Sequence, residues 1–141
     1  MQRRVPRPQD KKEVTPLVSD EVALVIAAAL LAIWVGCLLW SSLASNLPAL
    51  PHILAWDKLQ HFLAYAILMF FSGRFLHLLY KNRLKGWIVG FIFTLGFGIL
   101  MEIGQETITT SRHADGADII ANALGAGLVL FLALSRRVKR T

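Results

Sequence analysis

From Val22 to Leu43 the chain runs without a single charged residue. A bilayer's hydrocarbon core is about 30 Å thick, and a helix rising about 1.5 Å per residue needs about 20 apolar residues to cross it. This block has that length. Ser42-Leu43-Ala44 resembles a signal-peptide cleavage site, but the apolar part of a signal peptide runs only about 7–15 residues. The block is therefore read as a retained membrane span. Three further apolar blocks follow, at about 57–79, 86–104 and 117–134, against about 22–43 for the first. The expected fold is an all-α, four-helix transmembrane bundle over residues 21–135, between a polar tail (1–20) and a basic tail (136–141).

Composition agrees with this reading. Hydrophobic residues make up 55% of the 141 residues, against about 45–50% for soluble domains, and the mean hydropathy is +0.55. The excess sits in blocks separated by short charged stretches. Pro6, Pro8 and Pro16 mark the first 20 residues as a polar tail. Pro48 and Pro51 end helices in the first connection. The net charge of +6 forms no continuous basic stripe, so nucleic acid is not an expected partner. Cys37 is the single cysteine, which excludes an internal disulfide and a CxxC motif.

The basic residues set an expected orientation. Of the 15 lysines and arginines, all but Lys58 and Arg112 fall in the first tail, in the connection from Arg74 to Lys85, or in the last tail. With four spans these three segments share one face, which the positive-inside rule makes cytoplasmic. Both termini are then cytoplasmic, in a multi-pass inner-membrane protein.

The opposite side carries Asp57, Glu102, Glu106, Asp115 and Asp118. Counting from the basic residues places His61 and Asn122 roughly 20 Å from that face, and Asp57, Glu102 and Asp118 roughly 24–27 Å from it. Asp57, His61 and Tyr65 follow at i, i+4 and i+8 and share a helix face. Asp118 and Asn122 do likewise, and Glu102 and Gln105 stand at i, i+3. Ionisable groups facing lipid at this depth are costly, so they are expected to face one another in an outward-open polar pocket.

Small residues add a packing expectation. Gly86, Gly90, Thr94 and Gly98 repeat at i+4 and lead to Glu102. Ala117, Ala121 and Gly125 do the same on the last span. Such stripes let backbones approach closely, and the third and fourth spans are expected to pack on each other. That contact would hold Glu102 near Asp118 and Asn122. Trp56 and Trp87 are read as anchors in the interfacial aromatic belt, and His52 and His77 as interfacial.

Several roles are open to the polar residues. Glu102 and Asp118 form a carboxyl pair able to share a proton and act as general acid and base. Alternatively Glu102 is neutralised by Lys58 or Arg112. His61 can accept a proton, ligate a metal or donate to a carboxylate. Lys58 and Arg112 can hold a lipid phosphate or a carboxylate, or pair with Asp57, Asp115 or Glu106. His61, His113, Glu102 and Asp115 could in principle ligate a metal, but no HExxH-type spacing supports one, and no metal or cofactor is expected. No serine elbow or phosphate-binding glycine loop occurs, and Gly96-x-Gly98 is read as helix packing. Apart from Arg74 and His77 towards the basic face, only Ser72 and Thr94 are polar in the inner halves of the spans, which disfavours a transporter. Whether Asp115 belongs to the pocket or to the loop stays open.

The sequence Asp57-Lys58-x-x-His61, then Glu102-x-x-Gln105, then Arg112-x5-Asp118-x3-Asn122-x2-Gly125 resembles the VanZ-like family of bacterial membrane proteins. The resemblance spans about Asp57 to Gly127. It implies the four-span topology and a connection with the cell envelope, the founding member being associated with low-level teicoplanin resistance. The resulting expectation is a pocket that binds or processes a membrane lipid or a lipid-linked, amphipathic molecule. Glu102, Asp118 and His61 are the candidate catalytic residues. Asp57, Lys58, Tyr65, Gln105, Arg112 and Asn122 are the candidate substrate-binding residues. The rivals are a shielding protein that binds without turnover and an accessory protein whose polar cluster is structural. No particular protein partner is indicated.

Overall fold

A computed structural model describes residues 19–43, 57–108 and 115–135. They form four helices: α1 (Asp20–Leu43), α2 (Asp57–Tyr80), α3 (Arg83–Ile108) and α4 (Gly116–Ser135), with no strand among the described residues. Each is long and apolar enough to cross a membrane. The shortest has 20 residues, or about 30 Å of axial rise. Helices suit hydrocarbon because they satisfy their backbone hydrogen bonds internally.

The boundaries follow from local chemistry. The Ser19 hydroxyl accepts the Val22 N–H at 3.3 Å, the Asn82 side chain accepts the Lys85 N–H at 3.0 Å, and Asp115 accepts the Ala117 N–H at 2.9 Å. Each is an N-cap that satisfies an orphan donor of the first turn. Lys81, with φ 50°, takes the left-handed conformation that closes α2, and α3 begins two residues later. The expected connection from Arg74 to Lys85 is thereby shortened, since Arg74 lies in α2 and Arg83–Lys85 in α3, and α3 runs past its expected end at about 104 to Ile108.

Large apolar side chains such as Val25, Ile33, Ile92, Leu100, Ile120 and Phe131 lie exposed around the outside. A surface of this kind suits lipid rather than water.

Helix α2 stands at the centre and touches the other three. Leu38 of α1 meets Tyr65 and Leu68, with Trp34 and Phe97 alongside, and the Trp34 indole donates to the Ala64 carbonyl at 3.0 Å. Lower down, Met69, Trp87 and Ala126 form a second cluster. Between them Ser72 and Thr94, both fully buried, lie 3.1 Å apart through their hydroxyls, and Thr94 also donates to the Gly90 carbonyl at 2.8 Å.

The small-residue stripes pack differently from the sequence expectation. A Cβ at Gly90 would lie 2.9 Å from the Gly73 backbone, and one at Gly125 would strike the Phe62 carbonyl. Gly73 and Phe62 are both on α2, so the α3 and α4 stripes each face α2 more than each other. A small-residue period marks a face that admits a close neighbour, without choosing the neighbour. Trp87 is corrected too. It is buried against Gly73, Met69 and Ala126 rather than held in an interfacial belt. Trp56 and His52 lie outside the described residues.

Candidate functional site

The end of the bundle formed by the start of α2, the end of α3 and the start of α4 gathers six of the nine candidate site residues. Asp57, Lys58 and His61 come from α2, Glu102 from α3, and Asp118 and Asn122 from α4. Their placement follows from helical phase, which turns i, i+4 partners onto a common face.

Lys58 is the hub. Its ammonium donates to Asp115 Oδ2 at 2.5 Å and to Asp118 Oδ1, and stands 3.8 Å from Asp57. His61 is the second centre. Its Nδ1 lies 3.2 Å from Asn122 Oδ1 and 3.8 Å from Glu102. On the other side Nε2 lies 3.6 Å from Asp118 and 3.8 Å from Asp57. When Nδ1 carries the proton and donates to Asn122, Nε2 is left as an acceptor facing two carboxylates.

Asp115 belongs to both the loop and the site. It caps α4, pairs with Lys58, and its backbone N–H reaches Glu102 Oε2 at 3.4 Å. The Lys58 hydrogen bond, aided by the Ala117 N–H, holds the Asp115 carboxyl below its ordinary range. Glu102, Asp118 and Asn122 are all buried, at 2%, 6% and 2% exposure, whereas Asp57 is open to the outside. The cluster is thus a graded site, exposed at Asp57 and buried at Glu102 and Asn122.

No protein-family model, curated protein or solved structure matches the chain. The reading of the site therefore rests on its own geometry.

Two cavities adjoin the cluster. A cleft of about 100 Å³ between α1, α2 and α3 is lined by Asp57, His61, Tyr65 and Gln105, together with Ser41, Ser42 and Gln60. Tyr65 and Gln105 thus join the site through this cleft, two turns below Asp57 and on the facing helix. Ser41, Ser42 and Gln60 were missed in the sequence. Gln60 had a signal, lying beside His61, but the serines sit on a span without a motif. The second cavity, of about 440 Å³, is an almost wholly apolar groove between α2 and α4. It starts at Lys58 and runs past Phe62, Ile120, Ala121 and Leu124. Arg112 and His113 lie outside the described residues.

Asp57, His61 and Asp118 each offer one ligand atom, all within 4.8 Å of one another. A divalent cation fits that spacing in principle. The set differs from the one considered from the sequence, since it takes Asp57 and Asp118 in place of Glu102 and Asp115. The Lys58 ammonium already pairs with both Asp118 and Asp115.

Proposed function

We propose that this chain is a VanZ-like multi-pass protein of the bacterial inner membrane, with both termini cytoplasmic. Its outward-facing polar cluster receives the head of an amphipathic, lipid-linked envelope molecule. The observation that carries this reading is the adjacency of two unlike surfaces at Lys58. One is the buried polar cluster of His61, Glu102, Asp118 and Asn122. The other is the apolar groove from Lys58 to Leu124, sized for a hydrocarbon chain. A ligand with one polar end and one apolar tail matches both. The motif order supports the family assignment, and the cluster's place opposite Arg74, Lys81, Arg83 and Lys85 supports the orientation.

If the site turns its ligand over, the simplest chemistry is hydrolysis or transfer. Glu102 and Asp118 then serve as acid and base, with His61 between them and Lys58 (with Arg112) holding the anionic group. The test is a susceptibility assay in a glycopeptide-sensitive Gram-positive host expressing wild type or Glu102→Gln, both quantified in the membrane. Raised teicoplanin tolerance that the equally abundant variant lacks supports a working pocket. Equal tolerance from both removes Glu102 from the mechanism.

One observation favours a second reading. Lys58 is paired with Asp115 and Asp118 within the fold itself, as a cluster that merely fixes helix packing would be. Under that reading the protein is a non-catalytic accessory subunit. It then co-purifies with a stoichiometric partner, and its Glu102→Gln variant keeps full function.

A further inference from the structure

The opposite end of the bundle holds a second cleft, of about 390 Å³, between α2, α3 and α4. Its character is the reverse of the site above. Arg74 and His77 of α2 and Arg83 of α3 line it, together with Phe70, Trp87 and Leu132, and no acidic side chain among the described residues does so.

Three observations bear on what it takes. An Arg83 guanidinium N–H donates to the Ala133 carbonyl near the end of α4. A guanidinium carries five donors in a planar fork, so one such bond fixes its position and leaves others for a ligand. His77 keeps Nδ1 buried without a hydrogen-bond partner among the described residues, so the protein leaves that desolvation uncompensated. Finally, the cleft sets basic side chains beside apolar ones, Arg74, His77 and Arg83 against Phe70, Trp87 and Leu132. Arg74 lies roughly 9 Å along the axis from the end of α2, and Phe70 roughly 6 Å deeper. Phe70 and Leu132 are 52% and 47% exposed, so the floor opens sideways to the surrounding hydrocarbon.

We propose that this cleft binds an anionic phospholipid. Arg74 and Arg83 hold its phosphodiester, and its acyl chains run along Phe70 and Leu132. A free anion would satisfy the arginines but would make no use of the apolar floor, whereas a lipid uses both. Basic pockets between membrane helices take anionic headgroups for the same reason. This site is independent of the carboxylate cluster and does not need the function proposed for it.

The test uses the full-length protein in mild detergent with equimolar phosphatidylglycerol and phosphatidylcholine, and native mass spectrometry reads the retained lipid. Wild type should retain phosphatidylglycerol by more than about ten-fold over phosphatidylcholine, each arginine supplying roughly five-fold. Arg74→Gln, whose exposed side chain the fold does not need, should lower that preference by roughly five-fold. Arg74→Gln/Arg83→Gln should bring it near parity while thermal unfolding shows the bundle intact. Equal retention of the two lipids by wild type would overturn the proposal, as would an unchanged preference in Arg74→Gln. Displacement of phosphatidylglycerol by inorganic phosphate alone would assign the cleft to a free anion and overturn it too.

Discussion

Gly125→Ala isolates the contact that assembles the site. A Cβ at Gly125 would meet the Phe62 carbonyl oxygen, with the Phe62 carbonyl carbon at 3.0 Å and the Ala66 nitrogen at 3.2 Å. All three are backbone atoms, so no side-chain rotation relieves the clash and α4 must move away from α2. Overpacking of this kind costs about 1–3 kcal/mol. Gly127→Ala is the internal control, because a Cβ there meets nothing within 4 Å. Each substitution also gains about 0.5–1 kcal/mol from the helix preference of alanine over glycine. That gain cancels between the two variants. Gly125→Ala should therefore be less stable than Gly127→Ala by about 1–3 kcal/mol, read by denaturant unfolding of the purified protein in detergent. Asn122 and Asp118 lie about one and two turns from Gly125 on the same helix, so their contacts with His61 and Lys58 should loosen together. Equal stability of the two variants would refute the close α2–α4 approach, and with it the geometry of the site.

Three further outcomes follow from particular contacts. Lys58→Met should lower thermal stability more than Asp57→Asn, because it strips the partner from Asp118, which is buried, whereas Asp57 is exposed and only 3.8 Å from Lys58; a larger loss in Asp57→Asn would contradict this. Ser72→Ala should cost only about 0.6 kcal/mol, because Thr94 keeps its bond to the Gly90 carbonyl; a loss several times larger would mean that the Ser72 hydroxyl organises the core. The third concerns pH. Lys58 holds the Asp115 carboxyl low, and a depressed carboxylate stabilises the fold above its unfolded value of about 3.9, losing that contribution as pH falls through the folded value. Asp115→Asn should therefore be destabilised equally at pH 7 and pH 5, the gap to wild type closing only below about pH 3.9. A gap that closes between pH 7 and pH 5 would show that Lys58 does not act on Asp115 in this way.

Much of the site was legible because helical phase is local. Asp57, His61 and Tyr65 share a face whatever α2 packs against, and burial follows from the cost of a charge in lipid. The partner of each charge was not legible. Lys58 had Asp57, Asp115, Glu106 and Glu102 as candidates, and the choice of Asp115 with Asp118 depends on the rotation of α4 about its own axis. The same is true of Ser41 and Ser42, which reach the cleft only because α1 lies against α2 at Leu38 and Tyr65.

The sequence by itself determined the number of helices, that each is long enough to cross a bilayer, and the gathering of ionisable groups at one end. Those properties follow from the thickness of a bilayer and the rise of a helix, which act on each segment alone. Only the tertiary structure decided that α2 is the central helix and that both glycine stripes close on it. It also decided that Trp87 fills the core and that Asp115 serves as cap and ion-pair partner at once. A one-dimensional pattern records which face of a helix is buried and at what depth. Which neighbour covers that face is settled by the fit of whole helices against one another, and that fit is what places Lys58 between two carboxylates and an apolar groove.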